Sequence, residues 1–435
     1  MTRTQKKKPW FSQAALALAA VCLAGASIHS ARAADVANAQ GGPALPLGIP
    51  QNLYQFVIPK DNPPTPEKIA LGKQLFFDTR LSADGTVSCS TCHDREKGFV
   101  DRFPTSKGIH AQFGKRNAPT AMNAMFQQTF FLDGRAPSLE EQAKLPIVNP
   151  IEMGMKDGAA VTAKVASIPE YVSAFNAVFH QPVSYDNIGR AIASFERTLV
   201  FGNSPFDRFI AGDANAMNES QRRGWTLFNG KGRCMSCHGF SSTQPFFTDN
   251  RFHNIGIAAH KANFVELAVK ARRMVETGNI KQIDELAIQT DLSELGRFLV
   301  TKNYADTGAF KTSALRNIAL TAPYMHDGSL PTLWDVIDHY NKGGIQNPFL
   351  DGGMQRLGLS ENEIDDLVAF LGALTSNDFK AEGDAELQRQ KELAATKRPE
   401  RDTDAAMGRK GNLGDVAPDP DLKDPALIGR TATEK

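Results

Sequence analysis

At 435 residues the chain is long enough for two or three domains, and its 41% hydrophobic and 22% charged content is ordinary for a globular protein. A formal charge of +1 excludes the strongly basic surface that nucleic-acid binding needs. Residues 1–33 read as a signal peptide: Arg3 and Lys6 to Lys8 start it, Ala14 to Ala24 form its apolar core, and Ala31-Arg32-Ala33 is a small-x-small cleavage site. That core is short for a bilayer span. Cleavage would remove five basic residues (Arg3, Lys6, Lys7, Lys8, Arg32) and no acidic ones, leaving 44 basic against 48 acidic residues, a formal −4.

Residues 34–60, rich in Gly, Pro and Ala, are expected to form an extended lead-in. Thr65-Pro66-Glu67 then opens a helix, with Thr as N-cap and Pro at the first helical position. Ile69, Leu71, Leu75, Phe76 and Phe77 supply its apolar face, and Cys89-Ser90-Thr91-Cys92-His93 follows. A second run, Cys234-Met235-Ser236-Cys237-His238, comes after Gly224-Trp225-Thr226-Leu227-Phe228, a partial echo of Gly72-Lys73-Gln74-Leu75-Phe76. The helical spacing of Ile188, Ile192, Phe195 and Leu199 recurs in Ile364, Leu367, Phe370, Leu371 and Leu374, the latter behind a capping box of Ser360 with Glu363. Each half thus reads helix, cysteine motif, loops, closing helix, an internal duplication of mainly α modules over 61–200 and 201–378. Two segments fall outside it: a charged, helix-prone insertion at about 258–295, and a tail over 379–435 rich in charge, Pro and Gly.

C-x-x-C-H is the attachment signature of a c-type haem. Two thiols on one helical turn reach the vinyl groups along one porphyrin edge, and the His that follows binds the iron from below. A thioredoxin-like pair would need a βαβ context, and a zinc site built from both Cys pairs leaves each following His unexplained. The expected fold is mainly α: two cytochrome c-like domains, each with one covalent haem c, on Cys89, Cys92 and His93 and on Cys234, Cys237 and His238. Cys22 lies inside the signal, so no pair remains for a structural disulfide. Thioether-bound haem on an exported chain points to the bacterial periplasm.

Between the motifs run Arg116-Asn117-Ala118-Pro119-Thr120, Asp133-Gly134-Arg135, Leu139-Glu140-Glu141-Gln142 and Asn149-Pro150-Ile151-Glu152-Met153. The second half contains Leu315-Arg316-Asn317-Ile318, Thr321-Ala322-Pro323-Tyr324-Met325-His326-Asp327-Gly328 and Thr332-Leu333. With the two haem motifs, this order of stretches over residues 50 to 375 resembles the bacterial dihaem cytochrome c peroxidase/MauG family.

The resemblance implies a peroxidatic first haem with an open distal face, Glu152 as the acid–base carboxylate, Gln142 as its pocket neighbour and Pro146 walling the cavity. Glu in a partly apolar pocket suits the transfer of a proton between the two oxygens of peroxide. In dihaem peroxidases a loop His in this region ligates the first iron at rest; here Ile109 aligns with that position and His110 is next to it, so both readings stay open. Tyr340 aligns with the sixth ligand of the second haem, which is Met in peroxidases fed by cytochrome c and Tyr in MauG, with His339 and Met325 as the alternatives. Leu132 stands where the family commonly has a Trp between the haems. The resemblance also implies one calcium ion on the Asn117 side chain and the carbonyls of Thr321 and Pro323, oxygen donors that suit a hard cation. The implied activity is reduction of hydrogen peroxide with electrons from a small periplasmic donor, a cytochrome c or a cupredoxin, with a homodimer admitted. The rivals are a MauG-like oxidase that uses high-valent iron to oxidise a partner protein and a non-catalytic dihaem electron carrier.

Overall fold

The computed structural model describes residues 43–396 except 262, so the expected signal peptide and the tail beyond 396 lie outside the described residues. The chain divides into two compact units, residues 1–45 with 50–57, and 46–49 with 58–435. Of the first, the described part holds the short helix Leu53–Val57 and a hydrogen bond from Gln51 Nε2 to the Pro43 carbonyl. All that follows concerns the second.

Helices of nine or more residues are numbered in chain order. The first half carries α1 (Pro66–Phe77), α2 (Leu139–Val148), α3 (Gly158–Ala166), α4 (Pro169–Phe179) and α5 (Tyr185–Glu196). The second carries α6 (Glu219–Asn229), α7 (Phe264–Glu276), α8 (Ile280–Gln289), α9 (Leu333–Asn341), α10 (Glu361–Gly372) and α11 (Lys380–Ala395). Among the described residues the one sheet pairs β1 (Phe252–His253) antiparallel with β2 (Phe310–Lys311). The caps follow the sequence: Thr65 accepts from the Lys68 amide with Pro66 behind it, and Ser360 and Glu363 close a capping box.

The echo around Gly72 and Gly224 has a steric cause. In each half the helix before the haem motif crosses the closing helix so closely that a side chain would not fit. A Cβ on Gly72 would lie 1.8 Å from the Ala191 carbonyl oxygen, and one on Gly224 1.9 Å from that of Asp366. Phe195 and Phe370 pack beside these crossings, each within the core of its own half. The loops repeat as well. Asn123 and Asn317 both take left-handed φ before a short 3-10 turn, Phe131 and Met325 do so before Asp-Gly, and the bridges Phe130–Ala136 and Tyr324–Leu330 close the same tight loop.

Residues 258–295 form a helical pair, α7 and α8, over a small core of their own with Phe264, Ala268, Leu292 and Phe298. The first part of the charged tail is helix α11, an element that the sequence reading does not specify. This helix is anchored by buried polar groups instead of an apolar stripe. Gln390, fully buried, donates to the Ala319 carbonyl and accepts from the Leu333 amide, while buried Glu386 pairs with Arg389. A composition poor in large apolar residues hides such a helix. Just ahead of it, Phe379 joins the core of the first half and packs edge-on to Phe99 at 6.5 Å.

Candidate functional site

The two C-x-x-C-H motifs fold alike. Ser88 caps the turn Cys89–Cys92, whose Cys89 carbonyl accepts from the His93 amide; Cys234–Ser236 makes the corresponding turn, and the Cys234 carbonyl accepts from His238. Both His rings are fixed by a backbone carbonyl. His93 Nδ1 donates to the Phe99 carbonyl at 3.1 Å, and His238 Nδ1 to that of Phe247 at 2.9 Å. The acceptors are carbonyls, so Nδ1 carries the proton and Nε2 keeps its lone pair for a metal, the orientation usual for His ligands. Phe99 and Phe247 are held at φ 58° and 56°, so both halves adopt the same uncommon backbone to present that carbonyl. Burial depresses the basicity of both imidazoles, keeping them neutral and able to ligate. Cys89, Cys92, Cys234 and Cys237 form no disulfide, and burial pushes the Cys92 and Cys234 thiols up to about 12, which does not suit exposed redox thiolates. This donor set fits a covalently attached haem at each motif.

Glu152 lies just past α2. Ser138 caps that helix, Pro146 sits inside it, and Asn149 ends it. Met153 donates back to the Pro146 carbonyl, which folds the Glu152 turn against the helix end. Asn149 Nδ2 donates to Glu152 Oε1 at 2.7 Å, and the Glu152 carbonyl accepts from the Ile109 amide. Burial raises the Glu152 carboxyl above its ordinary value, with Arg135 pulling the other way. Gln142 and Pro146 are four residues apart and share a face of α2. The loop carrying His110 presses on this turn: a Cβ at Gly108 would stand 1.9 Å from the Ile151 carbonyl oxygen. Ile109 is buried there, whereas the His110 side chain is 68% exposed with Nδ1 3.7 Å from Asp84. The aligned Ile109 thus faces inward and the neighbouring His outward.

Tyr340, in the last turn of α9, is half-buried, and its phenol is raised by burial first and then by Cys234 and Cys237 of the second motif. His339 Nε2 is engaged with the Ile255 carbonyl at 2.9 Å, and burial drives this His to about 4. Met325 packs in the second core.

A profile of the di-haem cytochrome c peroxidase family matches residues 66–215. The methylamine utilization protein MauG of Methylorubrum extorquens is 41% identical over 318 residues, 73% of this chain and 80% of that protein. The chain belongs to the di-haem cytochrome c peroxidase family. Its relatives include the cytochrome c551 peroxidase of Pseudomonas aeruginosa, 35% identical over 342 residues (78% of this chain, 86% of that protein). A crystal structure of a MauG-like protein associated with microbial copper homeostasis shares 32% identity and aligns with a TM-score of 0.61 over 74% of this chain and 92% of that one.

Within this di-haem family member, Asn117 donates through Nδ2 to the Phe103 carbonyl at 3.0 Å, and its amide donates to the His326 carbonyl. That hydrogen bond lays Asn117 on the segment that holds Thr321 and Pro323. Leu132 is joined across the halves, its carbonyl accepting from the Lys311 amide. Among the described residues, Cys237, Asp249 and His253 bring three ligand atoms within 4.8 Å. Cys237 is the second thiol of the C-x-x-C-H motif, so this trio adjoins the expected haem-attachment site. Three groups went unnoticed in the sequence: Asn149, whose neighbours were read for Glu152; His253, clamped between Asp249 and Asp351; and the buried Glu196. Their roles come from tertiary contacts that no local spacing announces.

Proposed function

We propose that this chain is a periplasmic peroxidase that reduces hydrogen peroxide to two waters, taking two electrons from a small donor protein and two protons from solvent. The observation that carries this reading is Glu152, a half-buried carboxyl raised by desolvation and steadied by Asn149 in a family of di-haem peroxidases. Cys89, Cys92 and His93 would hold the first haem, which would supply the iron for peroxide cleavage. Glu152 takes the proton from one peroxide oxygen and returns it to the departing oxygen, while Gln142 orients the substrate and Pro146 narrows the cavity against bulk water. Cys234, Cys237 and His238, with Tyr340 as a further ligand, would hold a second haem, which would supply the route for the donor's electrons. A calcium ion on Asn117 and the Thr321 and Pro323 carbonyls would hold the two halves in register. The periplasmic assignment rests on the A-x-A signal; no helix among the described residues is long and apolar enough to cross a membrane.

A second reading has an observation of its own. Tyr340 near the second motif and the 41% identity to a MauG favour oxidation of a partner protein. One experiment separates the readings. Peroxide is added to the fully oxidised holoprotein and to the half-reduced form. Reaction with peroxide followed by turnover with reduced cytochrome c supports the peroxidase. A rapid reaction of the oxidised form that develops near-infrared charge-resonance absorption, without donor turnover, supports the oxidase. Two six-coordinate haems inert to peroxide in both states would leave an electron carrier and sink the enzyme.

A further inference from the structure

Glu196 closes α5 with 7% of its surface exposed, and its Oε2 is buried without a hydrogen-bond partner. The adjacent Arg197 pairs with Glu140 of α2 at 2.7 Å and acts on Glu196 only through its charge. Lys68 from α1 interacts with that same pair and with Arg190 and Asp61. Burial therefore dominates and lifts the Glu196 carboxyl to about 8, with Arg197 lowering it and Glu140 raising it. Its helix lines the core against which Cys89 packs. After burial, the Glu196 charge is the largest influence on the Cys89 thiol, ahead of Cys92 and Glu152. Its neighbour Phe195 packs edge-on to Phe76 at 5.2 Å, and Phe76 lies 6.5 Å from the His93 ring.

A lone carboxyl in such a place cannot ignore the charge of the haem. Opposite charges in a low-dielectric interior couple strongly, and solvent screens them little. We propose that Glu196 is a redox-linked proton site of the first haem, taking up one proton from solvent when that haem accepts an electron and releasing it on reoxidation. The electron comes from whichever one-electron reductant supplies the haem, so the net charge of the buried region stays constant through the step. This goes beyond the peroxidase reading and rests only on haem attachment through Cys89.

The test is a spectroelectrochemical titration of the first haem in the holoprotein, without peroxide, from about pH 6 to about pH 9, for the native chain and Glu196→Gln. The native midpoint should fall as pH rises, with a slope approaching about 59 mV per pH unit, the one-electron equivalent of a tenfold change. Glu196→Gln should be flat across that range, and the second haem should titrate identically in both proteins. An unchanged slope in the variant, or a native midpoint independent of pH, overturns the proposal. Should the variant fail to take up haem, the redox-difference infrared spectrum of the native holoprotein decides. A protonated-carboxyl band that grows on reduction of the first haem supports the assignment, and its absence refutes it.

Discussion

The two halves of this chain share one scaffold and differ in what fills it. Counting from the matched Asp133-Gly134 and Asp327-Gly328 through the helix caps Ser138 and Thr332, Pro146 of α2 corresponds to Tyr340 of α9, Gln142 to Val336, and Leu132 to His326. Where the second half offers a phenol, the first offers a ring with no ligating atom. Where the first half has an amide that can hold a polar substrate, the second has an aliphatic side chain. One duplicated helix thus serves, in the proposed assignment, as the lid of an open iron site in one copy and as the source of an iron ligand in the other. In that assignment the division of labour between the haems comes down to a few side chains on one helix face, while the His-to-carbonyl hydrogen bond is kept in both motifs.

The comparison breaks first at Glu152. Glu152→Gln keeps the shape and the Asn149 contact but cannot accept the proton, so kcat for peroxide reduction should drop by roughly 10²–10⁴-fold, the usual worth of a positioned acid–base group. Haem content and the spectrum of the second haem should not change. Retained turnover would remove Glu152 from the chemistry and with it the asymmetry. The next effect is at Tyr340. Replacing it with Met should raise the midpoint potential of the second haem by on the order of 0.1 V, since a thioether favours reduced iron more than a phenolate does. The first haem should stay where it was. A potential shift on the wrong haem, or none, would reassign the ligand.

How much of this could be read in advance depends on where each feature is encoded. The haem motifs are legible because covalent chemistry fixes five consecutive residues. The caps at Thr65 and Ser360 are legible because a side chain meets an amide three residues away. The duplication showed in the spacing of apolar residues, but its reason, a backbone crossing that admits only glycine at 72 and 224, needs both helices in place. The carbonyls of Phe99 and Phe247 carry no side-chain signature at all. Helix α11 escaped because Gln390 and Glu386 hold it by hydrogen bonds to chain far away in sequence. The orphaned carboxyl of Glu196 escaped because its helix reads as an ordinary closing helix until burial is known.

The shared part of the scaffold should fail alike in both copies. Gly72→Ala and Gly224→Ala each force a methyl against a backbone carbonyl, and overpacking of this kind costs about 1–3 kcal/mol. Thermal unfolding of the two holoproteins should drop by similar amounts, each with loss of order around its own haem. A large loss at one glycine and none at the other would show that the crossings are not equivalent.

The smallest expected effect concerns the charge that sets the first site apart. Glu152 must be ionised to accept a proton from peroxide, so activity is lost as pH falls through its pKa. Burial holds that pKa above the ordinary 4.5, and the Arg135 guanidinium opposes the rise by favouring the carboxylate. The acid limb of kcat/KM, which reports the free enzyme, should therefore lie above pH 4.5 in the native protein. Arg135→Gln removes the opposing charge, so the limb should move to still higher pH. The shift should be under about one unit, because the Arg135 side chain is 37% exposed and shares its charge with Asp133 at 2.9 Å. The plateau rate at alkaline pH should be unchanged, since the ionised carboxyl is the same in both proteins. A limb that stays fixed in Arg135→Gln while Glu152→Gln abolishes activity would mean that another group sets the pH dependence. A limb that moves to lower pH would contradict the sign of the interaction.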